Sequence, residues 1–341
     1  MSDTLPITKE LFAAGVQCAK RLYLDYHNPA RIPELPPDRQ EFAEIGEKLV
    51  GLARSAFPKG IAVEDDGDAA VTRTSEILGK SGPVVVFDAA FSNGDAQVRT
   101  DIALRDSTGE LEIFEVKSGT KVKPRHLLDL AMQVLVVESA GWKVRSTVLL
   151  HVNPQYRHKG GTDYVVNELF KHADATDKVR RQLEKVRNMI PSFRSLLLDE
   201  STLELPMGTW CTQPFICPYY DRCAAQATEH PLMELPDMTR RQEYALHEQA
   251  IEDVSQVDLE QPGLTLRQRR ALRAVREGNL IVEPFVTEEL SELEYPVHFV
   301  SIQYLLEVLP RYEGTRPWQA LPYHWSDHVL HEDGSVEHQQ H

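Results

Sequence analysis

The sequence predicts an α/β protein in which a mixed sheet is flanked by helices. Three observations carry this. Runs at 84–91, 97–105 and 111–117 are rich in β-branched and apolar residues and are separated by turn residues. An apolar-periodic segment opens at Pro124 and closes at Gly141. A further apolar run, STVLLHV, follows within 145–152. Helix, strands, helix, strand is an order that buries both faces of a sheet.

The elements follow in sequence order. Residues 8–26 read as one helix, with Leu11, Cys18 and Leu22 at helical spacings. Pro29 to Pro37 reads as a proline-rich connection, and a second helix is expected from about Arg39 to Ala56. After the three strands, Leu127, Leu130, Ala131, Val134 and Leu135 give the next helix an apolar face, and Gln133 lies on the same helix. Residues 163–200 read as a long helical region covering the core. Residues 226–290 read as a helical connector, including the charged stretch LRQRRALRAVREGN with a glycine near its end.

The second and third strands hold the chemistry. In RTDIALRDSTGELEIFEVKSGT, the residues Asp106 to Glu110 have a turn composition. A turn centred on Thr108 sets Asp101 opposite Glu115, roughly 5 Å apart at Cβ. Two such carboxylates repel unless a cation lies between them. Lys117 shares the face of Glu115, whereas Ile102, Leu104, Phe114 and Val116 point to the other face and supply core. Mg²⁺ or Mn²⁺ prefers carboxylate oxygens, and one held by Asp101 and Glu115 would polarise a phosphate and acidify a bound water. Lys117 would orient that water or stabilise charge on the phosphorus centre. E-x-K alone equally suits a solvated hairpin with a Glu–Lys pair.

Net charge is −15, from 52 acidic and 37 basic residues. Such a field argues against a protein that coats DNA without specificity, but not against a nuclease with a local basic groove. Lys117, Lys121, Lys123 and Arg125 form a basic cluster beside the proposed metal site. Clusters at 178–187 and 267–273 read as solvated helix faces. No run approaches the roughly 20 apolar residues of a membrane span. No signal peptide is read at the N-terminus, so a cytoplasmic protein is expected.

The four cysteines are Cys18 and the C-x5-C-x5-C set Cys211, Cys217 and Cys223. Clustering of this kind in a cytosolic chain suggests metal more than disulfides. Four thiolates suit a 4Fe-4S cluster; zinc, or thiols without a ligand, remain the alternatives.

Together these residues resemble the RecB-like nucleases of the PD-(D/E)xK superfamily. The narrower resemblance, over about residues 5 to 225, is to the subgroup with an iron–sulfur staple, which includes CRISPR-associated nucleases and AddB. It implies a restriction-endonuclease-like core and a Mg- or Mn-dependent deoxyribonuclease acting on single strands or duplex ends. Asp101, Glu115 and Lys117 match the catalytic motif, and Gln133 matches the glutamine of the family's Q-x3-Y. Cys18, Cys211, Cys217 and Cys223 match the cluster ligands. A helicase or another repair or defence protein is the implied partner. Two positions depart from the pattern: Val50 stands where the family's G-x3-H helix has histidine, and Val137 replaces the tyrosine of Q-x3-Y. Glu47 or Asp88 would supply the missing metal oxygen. A catalytically weakened nuclease fold that binds nucleic acid, or serves as a scaffold, is the alternative.

Three parts are expected: a nuclease domain at 1–225, the connector at 226–290, and a segment at 291–341 resembling the opening of an RNase H-like module. In that segment Ser301 and Gln303 stand where the module has acids, so it is read as partial and without catalysis of its own. The histidines at 324, 328, 331, 338 and 341 read as hairpin and tail residues, not a metal site.

Overall fold

The computed structural model describes residues 5–33 and 37–341. The expected connection is described only in part: Pro29–Arg31 form a 3-10 turn, and residues 34–36 lie outside the described residues. The chain divides into two compact units, Met1–Glu204 with Glu307–Gln319, and Leu205–Leu306 with Ala320–His341.

The first unit is α/β. Its helices and strands are α1 (Lys9–Gln17), α2 (Ala19–His27), α3 (Pro37–Arg54), β1 (Ile61–Ala62), α4 (Gly67–Leu78), β2 (Val84–Ser92), β3 (Gln97–Arg105), β4 (Leu111–Lys117), α5 (Pro124–Ser139), β5 (Val144–Val152), α6 (Val166–Leu169), β6 (Phe170–Asp174), α7 (Thr176–Arg180) and α8 (Leu183–Leu196). The sheet is mixed, with six strands in sequence order; β1/β2 and β4/β5 pair in parallel and the rest antiparallel. The parallel β4–β5 pair needs a crossover, and α5 supplies it.

The β3/β4 register pairs Ile102 with Phe114 and Leu104 with Glu112, which centres the turn on Thr108 as expected. Asp106 holds that turn by accepting from the N–H groups of Thr108 and Glu110, and Gly109 takes the left-handed conformation it needs, with φ 87°. Alternation along the strands then sorts the two faces. Ala103, Leu111 and Ile113 join one core with residues of α1, α4, α5 and α8, while Ile102, Phe114 and Val116 join a second with Leu49 and Ala53 of α3. Val308 and Leu309 are also buried in that second core, so the 307–319 segment completes the first unit.

Two elements differ from expectation. The helix expected over 8–26 is two helices broken at Cys18, whose backbone is extended (φ −159°, ψ 129°). Its N–H still reaches Ala14 O and its carbonyl still receives Leu22 N–H, so Cys18 ends α1 and begins α2. Residues 163–200 do not form a continuous helical region, because β6 interrupts them. FKHAD adds as an edge strand to β5, whose open edge satisfies its backbone. At five residues it is too short for an alternation signal.

The second unit contains α9 (Tyr220–Ala224), α10 (Arg240–His247), α11 (Leu266–Glu277), α12 (Pro284–Ser291), β7 (Val297–Leu306), β8 (Ala320–Leu330) and β9 (Val336–Gln340). Thr239 with Gln242 and Thr265 with Gln268 form capping boxes at the starts of α10 and α11. Gly278 closes α11 in the left-handed region. Between α10 and α11, Leu232, Leu235, Leu246, Val254, Val257 and Leu272 build a small core. β7, β8 and β9 form an antiparallel sheet, and Ser301 and Gln303 lie exposed on β7. His328 and His338, opposite each other on β8 and β9, stack with ring centroids 4.4 Å apart. Among the described residues no helix is long and apolar enough to cross a membrane.

Candidate active site

The N-terminal half of β3 and the C-terminal end of β4 part from one another. Backbone pairing between them stops at Ile102/Phe114, and β4 continues against β5 alone. At the point of divergence, Asp101 Oδ2 accepts the Val116 N–H at 2.7 Å, taking the place of a backbone carbonyl. Asp101 thus stands beside Glu115, and its Oδ1 receives no hydrogen bond from the described residues.

Glu115 is 3% exposed and is the hub. Lys117 Nζ donates to its Oε1 at 2.6 Å and to Asp129 Oδ2 at 2.7 Å. Gln133 Nε2 donates to Glu115 Oε2 at 2.8 Å and to Asp129 Oδ1 at 3.4 Å. Lys9 Nζ donates to both oxygens of Glu115, at 3.0 and 3.1 Å, and to the carbonyl of Arg99 at 3.3 Å. The fold explains this convergence: α1 and α5 pack on the sheet face that carries residues 115 and 117, and Asp129 and Gln133, four apart on α5, present to it together.

The charges perturb one another. Burial, and then the negative charge of Asp101, push the Glu115 carboxyl up to about 7. Burial opposes the charge on both lysines, but Glu115 and Asp129 outweigh it and hold Lys9 and Lys117 above the ordinary lysine range. Burial likewise opposes ionisation of Asp129, yet Lys9 and Lys117 drive its pKa well below the usual carboxylate range. His126, in the first turn of α5, falls to about 4, chiefly through burial and then the charge of Lys117.

A cleft of about 370 Å³ opens beside this cluster, lined by Lys9, Glu10, Asp66, Asp88, Arg99 and Asp101, among others. Asp88 sits opposite Asp101 at a position where β2 and β3 lose pairing, with φ 52°. Its carboxylate receives Arg54 at 2.6 Å. Arg54 lies one turn beyond Val50 on α3; Val50 itself packs against the second core, and Glu47 is exposed. Val137, one turn after Gln133, is fully buried in the first core.

The donor set fits a hard divalent cation in part. Asp101 Oδ1 is available, Asp101 and Glu115 are neighbours, and carboxylate oxygens are the preferred ligands of Mg²⁺ and Mn²⁺. Both Glu115 oxygens, however, already receive Lys9. Of the sequence-predicted residues, Asp101, Glu115, Lys117 and Gln133 come together, and Asp88, on the strand next to Asp101, lines the cleft with it. Lys9, Asp129 and Arg54 join the site beyond what the sequence predicts. The spacing of Asp129 from Gln133, one helical turn along α5, is a usable signal; nothing local marks Lys9.

The cysteines lie in both units. Cys18 is the α1–α2 break of the first unit. In the second, Cys211 and Cys217 are buried, the Cys217 N–H donates to the Cys211 carbonyl at 2.8 Å, and Cys223 is in α9. Fully buried Glu243 of α10 fixes this segment by accepting both N–H and hydroxyl of Thr209 at 2.8 Å, and Trp210 stacks on Tyr244.

No family model matches the chain, and no curated protein matches it. Among solved structures, the crystal structure of SSO0001 is similar at 14% sequence identity and a TM-score of 0.27, over 67% of this chain and 90% of that one.

Proposed function

We propose that the protein is a metal-dependent nuclease that hydrolyses DNA phosphodiester bonds, on a RecB-like, restriction-endonuclease-like core. The observation that carries this reading is the hydrogen-bonded convergence of Glu115, Lys117 and Gln133 beside Asp101, at the mouth of an acidic cleft. Asp101 and Glu115 would hold Mg²⁺ or Mn²⁺, which supplies Lewis acidity at the phosphate. The remaining roles belong to the protein alone. Lys117 carries its charge to the reacting phosphate, where it orients the attacking water or stabilises the charge that develops. Asp129 and Glu115 fix its ammonium from two sides. Gln133 fixes the Glu115 carboxylate by donating to it. Lys121 and Lys123, on the loop after β4, and Arg125, at the start of α5, are exposed, which suits contact with a phosphate backbone. The other basic clusters are partly committed to the protein's own groups: Arg180 to Glu138 and the Val144 carbonyl, Arg267 to Asp237 and Arg270 to Glu283.

The four thiols, Cys18, Cys211, Cys217 and Cys223, are a donor set that suits a structural 4Fe-4S cluster, with zinc as the second candidate. Such a site would contribute folding energy. DNA ends or single strands are the proposed substrate, and a helicase or another repair or defence protein the proposed partner, in the cytoplasm.

One observation favours a second reading. Lys9 and Lys117 already compensate the buried carboxylates, as expected of a weakened nuclease fold that binds nucleic acid without cutting it. A single experiment separates the two. Anaerobically purified protein is assayed on single-stranded and duplex DNA with Mn²⁺ or Mg²⁺, beside Glu115→Ala and Lys117→Ala, with absorbance recorded on the same samples. Cleavage lost in both variants, with a broad band near about 400 nm from thiolate-bound iron, is the expected result. DNA binding that survives Glu115→Ala, with no hydrolysis by the wild type, would replace the nuclease with the binding reading.

A further inference from the structure

We propose that Lys9 is a displaceable counter-cation: its ammonium holds the Glu115 carboxylate until a divalent ion takes those oxygens, so Lys9 sets the ion concentration at which the site loads. This rests on the reading of Asp101 and Glu115 as metal ligands.

Four observations carry it. First, Lys9 engages both oxygens of Glu115, at 3.0 and 3.1 Å, so a metal cannot use that carboxylate while the ammonium stays. Second, charge balance makes the two cations alternatives. Asp101, Glu115 and Asp129, when ionised, carry three negative charges and Lys117 one positive, which leaves the deficit one divalent ion fills; Lys9 in place would overfill it. Third, Lys9 is the first residue of α1, where a cation opposes the helix dipole. Glu115, and not the helix, therefore accounts for its position. Fourth, Lys9 also lines the cleft, together with Glu10 and Asp66. Its flexible four-carbon stem lets the ammonium leave Glu115 for the cleft by rotamer change.

The exchange breaks no covalent bond. An ammonium leaves an ion pair, a metal ion sheds water to enter, and Lys9 keeps its proton and its charge.

The test measures Mn²⁺ binding to the full chain by calorimetry and by loss of the free-ion electron paramagnetic resonance signal, for the wild type, Lys9→Met and Lys9→Arg, each also combined with Glu115→Gln. Lys9→Met is expected to bind Mn²⁺ about tenfold more tightly or better, since one nearby positive charge is gone. It should also show a larger rise in unfolding temperature on adding Mn²⁺ than the wild type. Lys9→Arg should bind no more tightly than the wild type, and Glu115→Gln should weaken binding in every background. Should Lys9→Met fail to fold, Lys9→Gln removes the charge but keeps a donor for Glu115, and carries the same expectation. Equal or weaker Mn²⁺ affinity in a folded, uncharged variant would overturn the proposal. The outcome is separable from the nuclease reading. Tighter Mn²⁺ binding without DNA cleavage by the wild type leaves Lys9 its role and removes the nuclease. DNA cleavage with unchanged affinity removes the role of Lys9 and leaves the nuclease.

Discussion

Lys117 Nζ lies 2.7 Å from Asp129 Oδ2, so the last residue of β4 is fastened to the first half of α5 by an ion pair only about a quarter exposed on either side. That pair aims the lysine. Asp129→Asn keeps the shape but gives up the charge that holds the ammonium. Loss of such a supporting partner typically costs about 10- to 100-fold in activity. On the proposed nuclease reading, the expected result is a fall of that size in kcat for DNA cleavage with KM little altered, measured by steady-state kinetics on a labelled oligonucleotide. A variant as active as the wild type would show that Glu115 alone positions Lys117.

His126 gives a pH prediction. Burial, then the charge of Lys117, lowers its pKa from 6.5 to about 4. The unfolded chain therefore takes up a proton that the native state refuses, and stability is lost as pH falls from about 6.5 through about 4. In urea unfolding, the wild type should lose stability across that interval more steeply than His126→Gln. Parallel curves would mean that the imidazole is protonated in the native state as well.

Gly15 reports on the seat of α1. A Cβ added there would meet the Phe193 ring at 2.8 Å, and Phe193 is itself buried in the core between α1 and α8. Gly15→Ala is favourable for helix propensity, by up to about 1 kcal/mol, but overpacking of this kind costs about 1–3 kcal/mol. Net destabilisation in thermal melts is the expected sign. A stabilised variant would show that α1 yields easily against α8.

Trp318 donates its indole N–H to the Ser118 carbonyl at 3.0 Å, and its ring stacks on Phe42 with centroids 5.9 Å apart. Trp318→Phe keeps much of the stacking and loses the donor, at a cost of roughly 1 kcal/mol. Hydrogen exchange should rise in the loop just after Lys117. Unchanged exchange there would show that Gly119, whose carbonyl accepts the Val152 N–H at 3.1 Å, fixes that loop unaided.

Local features of the sequence reached far into this site because the turn is local. Once Asp106 and Gly109 centre the hairpin on Thr108, the face of every residue from 101 to 117 follows from alternation. Gln133 could be placed because α5 has explicit ends, Pro124 at its start and Gly141 with φ 92° just past its end. Lys9 could not, because its partners are about a hundred residues away and only tertiary packing brings α1 to Glu115. The same limit hid β1, two residues long, and α4, whose GDAAVTRTSEIL has weak helix formers at several positions. Cys18 was placed on a helix by spacing, but spacing does not register a break that keeps both flanking hydrogen bonds.

The 307–319 segment makes the first unit discontinuous in sequence. Val308 and Leu309 complete a core otherwise built from residues 45–170, while β7 and β8, the strands on either side, belong to the second unit. A fragment ending at residue 204 would therefore leave part of the second core uncovered, and would be prone to self-association. Synthesis has the same consequence. A chain emerging from the ribosome cannot close this core until residues 307–319 have been made, so strands β2 to β6 must wait for a patch made long after them.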